Sequence, residues 1–152
     1  MQTSYNILMA TNIAGQIADL RTAVVESPVA DTTIAFGMPL CLGVAANSVK
    51  LAASTGDVVR GIAAQQHNEQ SYPFTTPSGT YAANDVVNNV RRGLIYVQTA
   101  KAVAADAPAY IDVAGGSFKA TDTSSSNLAI PTGVFRETTA AAGTALLEIN
   151  MP

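Results

Sequence analysis

The sequence contains no tryptophan, one cysteine and one histidine in 152 residues. A single cysteine excludes a disulfide within the chain, and together the two counts exclude a zinc centre of the Cys/His type. Charge is also scarce: 12% of residues are Asp, Glu, Lys or Arg, about half the usual share of roughly 25%. Lys and Arg total 8 against 11 Asp and Glu, a formal net charge of -3. That balance carries no electrostatic footprint for nucleic acid or an anionic membrane. Apolar runs are short, none nearing the ~20 residues that cross a bilayer, and the opening MQTSYNILMATN lacks the basic and long apolar regions of a signal peptide. The expectation is a soluble protein made in the cytoplasm.

Against these absences, 48% of the residues are hydrophobic and mean hydropathy is +0.22. This excludes a disordered tail. The hydrophobic content is mostly Ala and Val, with 6% aromatics, and small side chains suit thin, closely packed layers. A chain of this length has material for one well-packed domain.

Short runs rich in β-branched residues, bounded by Gly, Pro, Asn or Ser, punctuate the chain: Thr33–Phe36, Asp57–Ile62, Leu94–Thr99 and Ala145–Ile149. Their spacing is that of an antiparallel sheet protein, not of strands alternating with helices. The best helical segment, Ala100–Ala105, is under two turns long and is followed by Pro108, so it reads as a turn before a strand. Aligned without a gap, residues 38–51 and 107–120 match Pro39 with Pro108, Val44 with Val113, Ala45 with Ala114, Ser48 with Ser117 and Lys50 with Lys119. Each copy reads as a hairpin whose first strand begins at a proline and turns at Ala46-Asn47 or Gly115-Gly116. Gly61-Ile62-Ala63 and Gly133-Val134-Phe135 then add a third strand to each. Between the copies, Asp85–Val97 predicts a further hairpin turning at Gly93, and residues 65–82 a long exposed loop. The fold expected is all-β, a small antiparallel barrel or sandwich built from hairpins. An extended arm, residues 1–32, precedes a β-rich domain, residues 33–152.

The chemistry-bearing residues point away from catalysis. His67 stands between Gln66 and Asn68 in a polar stretch, no G-x-S-x-G elbow occurs, and nothing orients the ring. It reads as a solvated loop residue. Cys41, between Leu40 and Leu42, reads as a buried thiol. Asp85 and Asp106 precede strands and read as turn residues accepting backbone N–H bonds. Gly115-Gly116 lacks the lysine and serine of a phosphate-binding loop. No catalytic, cofactor-binding or metal-ligating residue is named, and no cofactor is expected. Arg91-Arg92 is the one local concentration of positive charge, either solvated or set against an acidic partner. The arm lacks a core of its own, so its ordering depends on a neighbour or on its own barrel.

The phrases Gly15-Gln16-Ile17-Ala18-Asp19, Phe36-Gly37-Met38-Pro39-Leu40, Ala83-Asn84-Asp85-Val86-Val87 through Arg92-Gly93-Leu94-Ile95-Tyr96-Val97, and Ala105–Tyr110 followed by Gly133-Val134-Phe135 occur in an order that resembles the structural cement, or head decoration, proteins of tailed bacteriophages. The resemblance runs from about residue 13 to the end. It departs at Asn84, where a glycine is more typical, and in the 65–82 loop. It implies a structural protein of the virion that binds the outer surface of the head and stabilises the expanded shell by bridging coat subunits. The implied partners are the major capsid protein and further copies of this chain, as dimer or trimer, with neither nucleic acid nor membrane. Ile13, Gly15, Gln16, Ile17, Ala18, Asp19, Arg91 and Arg92 are the candidate partner-binding residues. A rival reading is a tail or cell-surface β-module that binds glycan or a host receptor through Tyr72, Phe74 and Tyr81. An enzyme built on His67 comes third.

Overall fold

The computed structural model describes residues 13–66, 79–121 and 127–152. Among them are twelve strands and no helix: β1 (Ile17–Glu26), β2 (Val29–Ala30), β3 (Ile34–Ala35), β4 (Pro39–Leu42), β5 (Ser48–Leu51), β6 (Val59–Ala63), β7 (Thr80–Tyr81), β8 (Asn89–Thr99), β9 (Pro108–Asp112), β10 (Phe118–Lys119), β11 (Asn127–Phe135) and β12 (Gly143–Asn150). All four β-branched runs fall in or on these strands. The Ala100–Ala105 segment is not helical; it leads through a turn into β9.

The two matched hairpins are two copies of one three-stranded unit. In the first, Cys41 faces Lys50 and Leu42 faces Val49. In the second, Tyr110 faces Lys119 and Ile111 faces Phe118, the same register at the same offset. The third strands repeat as well, Pro39 opposite Ile62 and Pro108 opposite Val134. A proline at the start of each first strand forgoes a ladder N–H where the chain is only entering the sheet.

β8 joins the two units. Arg92–Ile95 lies within the stretches that pair both with β12 and with β1, so those two strands flank opposite edges of β8. Asn89 and Val90 pair with β1 and with β6, which places β6 end to end with β12. Thr99 pairs with Gly143 and, in parallel, with Phe118, which brings β10 back to β8. The path β8-β12-β11-β9-β10 therefore closes on itself, and the structure is a five-stranded barrel with extra strands, not an open sandwich. Closure removes the free edges of these five strands over their paired stretches. The first unit curls similarly, with β2 parallel to β5 and Val29 bridged to Val86 just ahead of β8.

Alternation along the strands sorts the side chains. Ala145, Leu147 and Ile149 of β12 and Ile95 and Val97 of β8 enter the barrel, where Phe118, Phe135 and Ile111 complete the packing. A second core gathers Ala30, Ile34, Leu40, Val49, Ala63, Tyr81 and Val87. Cys41 and Ile62 belong to the first core while their neighbours Leu40 and Ala63 belong to the second. Leu40-Cys41 of β4 and Ile62-Ala63 of β6 thus form a wall buried on both sides.

Two expectations are corrected. Asn89–Thr99 is one continuous strand with no hairpin turn at Gly93. Gly93 sits in mid-strand at φ +128°, where a Cβ would lie 3.1 Å from the Ala23 Cα of β1. Glycine here marks close backbone approach, which sequence alone does not separate from a turn. Asp85 accepts the Ala82 N–H as expected (2.7 Å), but Asp106 does not cap a turn with its carboxylate. Its side chain accepts instead from Arg136 Nη1 (2.6 Å), at a positive φ of 64°. Residues 67–78 of the expected loop lie outside the described residues.

Candidate docking surface

β1 runs antiparallel to β8 from Ile17 opposite Ile95 to Glu26 opposite Asn89, with register shifts after Ile17, after Asp19 and after Val24. Asp19 and Val24 of β1 are five positions apart, while their partners Leu94 and Arg92 are two apart. The surplus bows β1 outward. Leu20 in the bow is 76% exposed, and Val24 and Val25 are about half exposed. β8 occupies one edge of β1, and no other strand among the described residues pairs with the opposite edge. An unpaired edge with apolar side chains is a ready surface for association.

The entrance to β1 is firmly held. Gly15 donates its N–H to the Tyr96 carbonyl (2.8 Å), and its own carbonyl accepts from Gln65 N–H (2.7 Å). Gln16 accepts from Tyr96 N–H (2.9 Å). Gly15 is buried, Gln16 and Ile17 are half-buried, and Ile13 and Ala18 are exposed. Asp19 accepts from both the backbone N–H and the guanidinium of Arg21. The Arg21 hydrogen bonds hold its carboxyl below the usual carboxylate range.

Arg91 and Arg92 occupy mid-strand β8, and successive residues of a strand face opposite ways. Arg91 is half-buried and ion-paired with Glu26 at the end of β1. Arg92 is exposed, opposite Val24 on one side and Asn150 on the other, with no ion-pair partner among the described residues. The fold brings Asp19 and Arg92 to a common cleft of about 220 Å³ between β1 and β12, lined also by Thr22, Leu94 and Glu148. Gly15, Gln16 and Ile17 line a separate groove. Of the eight sequence candidates, then, Ile13, Ala18, Asp19 and Arg92 present side chains outward, whereas Gly15 and Arg91 serve to hold β1 in place. Leu20, Val24 and Val25 escaped the sequence reading because only the bow of β1 exposes them. The tip of the β4–β5 hairpin adds Val44, 95% exposed, which also had no signal beyond its place in a turn.

Other chemistry is sparse. Cys41 is fully buried, and burial pushes its thiol up to about 11. No cluster of three His, Cys, Asp or Glu capable of holding a metal occurs among the described residues. Among the described residues no helix is long and apolar enough to cross a membrane. Tyr81, one of three aromatics of the glycan reading, is fully buried, packs edge-on against Phe36 (ring centroids 5.1 Å apart) and donates to the Ala64 carbonyl (2.6 Å). It lines no surface groove. Tyr72, Phe74 and His67 lie outside the described residues.

No curated protein matches this sequence. Among solved structures, a chain of the capsid of Myoviridae phage XM1 shares the fold, with a TM-score of 0.72 at 21% identity, over 99% of this chain and 98% of that one. The family model for structural cement protein (E217 gp24/Pam3 gp6) matches residues 1–150. With nearly the whole chain matched, a closed barrel built from paired hairpins, and a capsid chain of the same fold, this protein belongs to the phage structural cement family, structural proteins of the capsid.

Proposed function

We propose that this cement protein binds the outer surface of the phage head and bridges neighbouring coat subunits, acting without catalysis. The observation that carries the reading is the bowed edge of β1, which exposes Leu20, Val24 and Val25 and sets Val24 opposite Arg92, an exposed side chain with no ion-pair partner among the described residues. A rigid scaffold with an exposed apolar strip and an exposed cation, Arg92, suits a protein surface with acidic residues at its rim. A standard interface buries about 800 Å² per partner, so β1 and a second contact, such as the Val44 tip, together supply the area that two coat subunits offer. If that composite site exists only on the expanded lattice, binding adds free energy to the expanded state alone and stabilises it by differential affinity. Self-association as a dimer or trimer belongs to the same reading, as do assembly in the host cytoplasm and a place on the virion exterior. Neither nucleic acid nor membrane is a partner, in keeping with the net charge of -3.

The test uses point substitutions, because removing residues 1–32 would also remove β1 and β2, including Ala30 of the second core. Leu20→Asp and Arg92→Ala change exposed side chains and leave stability within about 0.5 kcal/mol of the parent. On expanded heads lacking this protein, Leu20→Asp is expected to lower occupancy at least about tenfold, and Arg92→Ala to weaken binding more at low salt than at high salt. Full occupancy by both folded variants would refute the proposed surface.

A further inference from the structure

A second groove, of about 370 Å³, shares no residue with the Arg92 cleft. Ile17, Leu20, Val25 and Ala64 give it apolar walls, Gln16, Gln65 and Asn88 add amides, and no charged residue lines it. That volume lies within the range of ligand-sized clefts, about 300–1,000 Å³. The Gln16 side-chain oxygen is buried with no hydrogen-bond partner. A buried acceptor without a donor is a cost that folded proteins seldom leave standing. The occupant that fits this groove is therefore apolar, uncharged and equipped with a free N–H.

The same chain carries such a shape at the tip between β4 and β5, Gly43-Val44-Ala45-Ala46-Asn47. No residue of the tip is charged, and Ala45, Ala46 and Asn47 are exposed. Val44 is 95% exposed, so a molecule does not seat its own tip in its own groove. The base of the tip is held in place: Val44 N–H donates to the Asp31 carboxylate (2.8 Å) and Ala45 N–H to the Ser48 hydroxyl (3.0 Å). The next two N–H groups, of Ala46 and Asn47, make no hydrogen bond among the described residues. A preformed knob of this kind loses little freedom on seating.

We infer that the β4–β5 tip of one copy seats in the groove of a second copy, with Val44 against Ile17, Leu20 and Val25 and a tip N–H donating to the Gln16 side chain. The inference rests on the self-association contained in the functional reading and identifies its contact. Reciprocal exchange of tips closes a dimer, and succession around an axis closes a ring. One tip buries far less than the roughly 800 Å² per partner of a standard interface, so copies associate weakly when free and firmly where a head holds them side by side. The seated tip lies along Leu20, which makes the apolar strip offered to a coat subunit a surface built from two copies.

Cysteine pairing tests this, because Cys41 is the single native cysteine and is buried. Full-length Val44→Cys and Gln65→Cys proteins are mixed at about 1 mM under mild oxidation. Their mixed disulfide is expected to form at least about tenfold faster than one between Val44→Cys and Ala141→Cys, an exposed position outside tip and groove. Equal rates overturn the inference. Adding Gln16→Leu to the Gln65→Cys protein removes the acceptor and should slow the reaction about fivefold; an unchanged rate also overturns it. In dilute solution the Gln65→Cys thiol should react freely with a maleimide, and a shielded thiol there means that the chain fills its own groove, which overturns it. On decorated heads the same thiol should be shielded and should become reactive when Val44→Asp is added. Shielding that survives Val44→Asp means that the coat fills the groove, and overturns it too. The solution measurements use no heads, so their failure and failure of the docking reading are separable.

Discussion

A methyl group at position 15 has nowhere to go. A Cβ there would lie 2.9 Å from the Gln65 and Gly37 nitrogens and from the Phe36 Cβ, at a φ of +88° that L side chains rarely adopt. Gly15→Ala is therefore expected to cost about 2–4 kcal/mol through overpacking and backbone strain. Urea unfolding should show a lower midpoint with an unchanged slope, and a loss under about 0.5 kcal/mol would contradict this packing account. The lone thiol offers a second check at the same scale. Cys41 is fully buried, and desolvation, followed by the Asp57 charge, raises its pKa to about 11. At pH 8 it should resist a disulfide reagent in the folded protein and react at once in denaturant. The folded state holds this proton more tightly than the unfolded state does. Stability should therefore fall as pH rises from about 9 to about 11, by about 2–3 kcal/mol in all, and Cys41→Ala should flatten that decline.

Among the elements, the turn between β5 and β6 depends on one carboxylate. Asp57 accepts N–H bonds from Ala53 (2.7 Å) and Ser54 (2.9 Å) and an ammonium hydrogen bond from Lys50 on β5 (2.9 Å). The Ala53 N–H contributes most, with Lys50 next, and together they hold its pKa down to about 2. The depressed value means that Asp57 contributes stability above about pH 4, and that this contribution is lost as pH falls towards 2. Asp57→Asn is expected to cost about 1–3 kcal/mol at pH 7. Calorimetry from pH 7 to 2 should show variant and parent converging, and a gap that persists at pH 2 would rule the carboxylate out as its source. The second copy of the unit solves its turn differently. Asp112 receives Lys119 of β10, the residue matched to Lys50, so the repeat preserves the lysine and relocates its acid. β1 shows the opposite case, an element whose backbone pairing keeps continuous register only at its C-terminal end, Val25 and Glu26. Its bow follows from a count of residues against β8 that no local propensity encodes.

For the whole molecule, the two cores share a wall. Leu40 and Ala63 face one core while Cys41 and Ile62 face the other, on the same two strands. Neither core persists without the other, so heating or urea should give one cooperative transition followed equally by far-ultraviolet circular dichroism and by tyrosine fluorescence. Truncating Phe135, fully buried in the barrel, to Ala should lower that single transition by about 3–5 kcal/mol; a second, unshifted transition would show the cores to be independent. Local patterning made much of this legible in advance. The duplicated hairpins, their prolines, the third strands carrying Gly61 and Gly133, the burial of Cys41 and the ordered phrases of the cement family depend on neighbours in sequence and on alternation of side chains. What the tertiary structure alone decided involves residues far apart in the chain. The parallel contact of Phe118 with Thr99 turns a sheet into a barrel, Gly93 serves an approaching strand and not a turn, Tyr81 goes inward, and β1 bows to expose Leu20. Each depends on which backbone lies across the way, a quantity set by closure of the whole barrel.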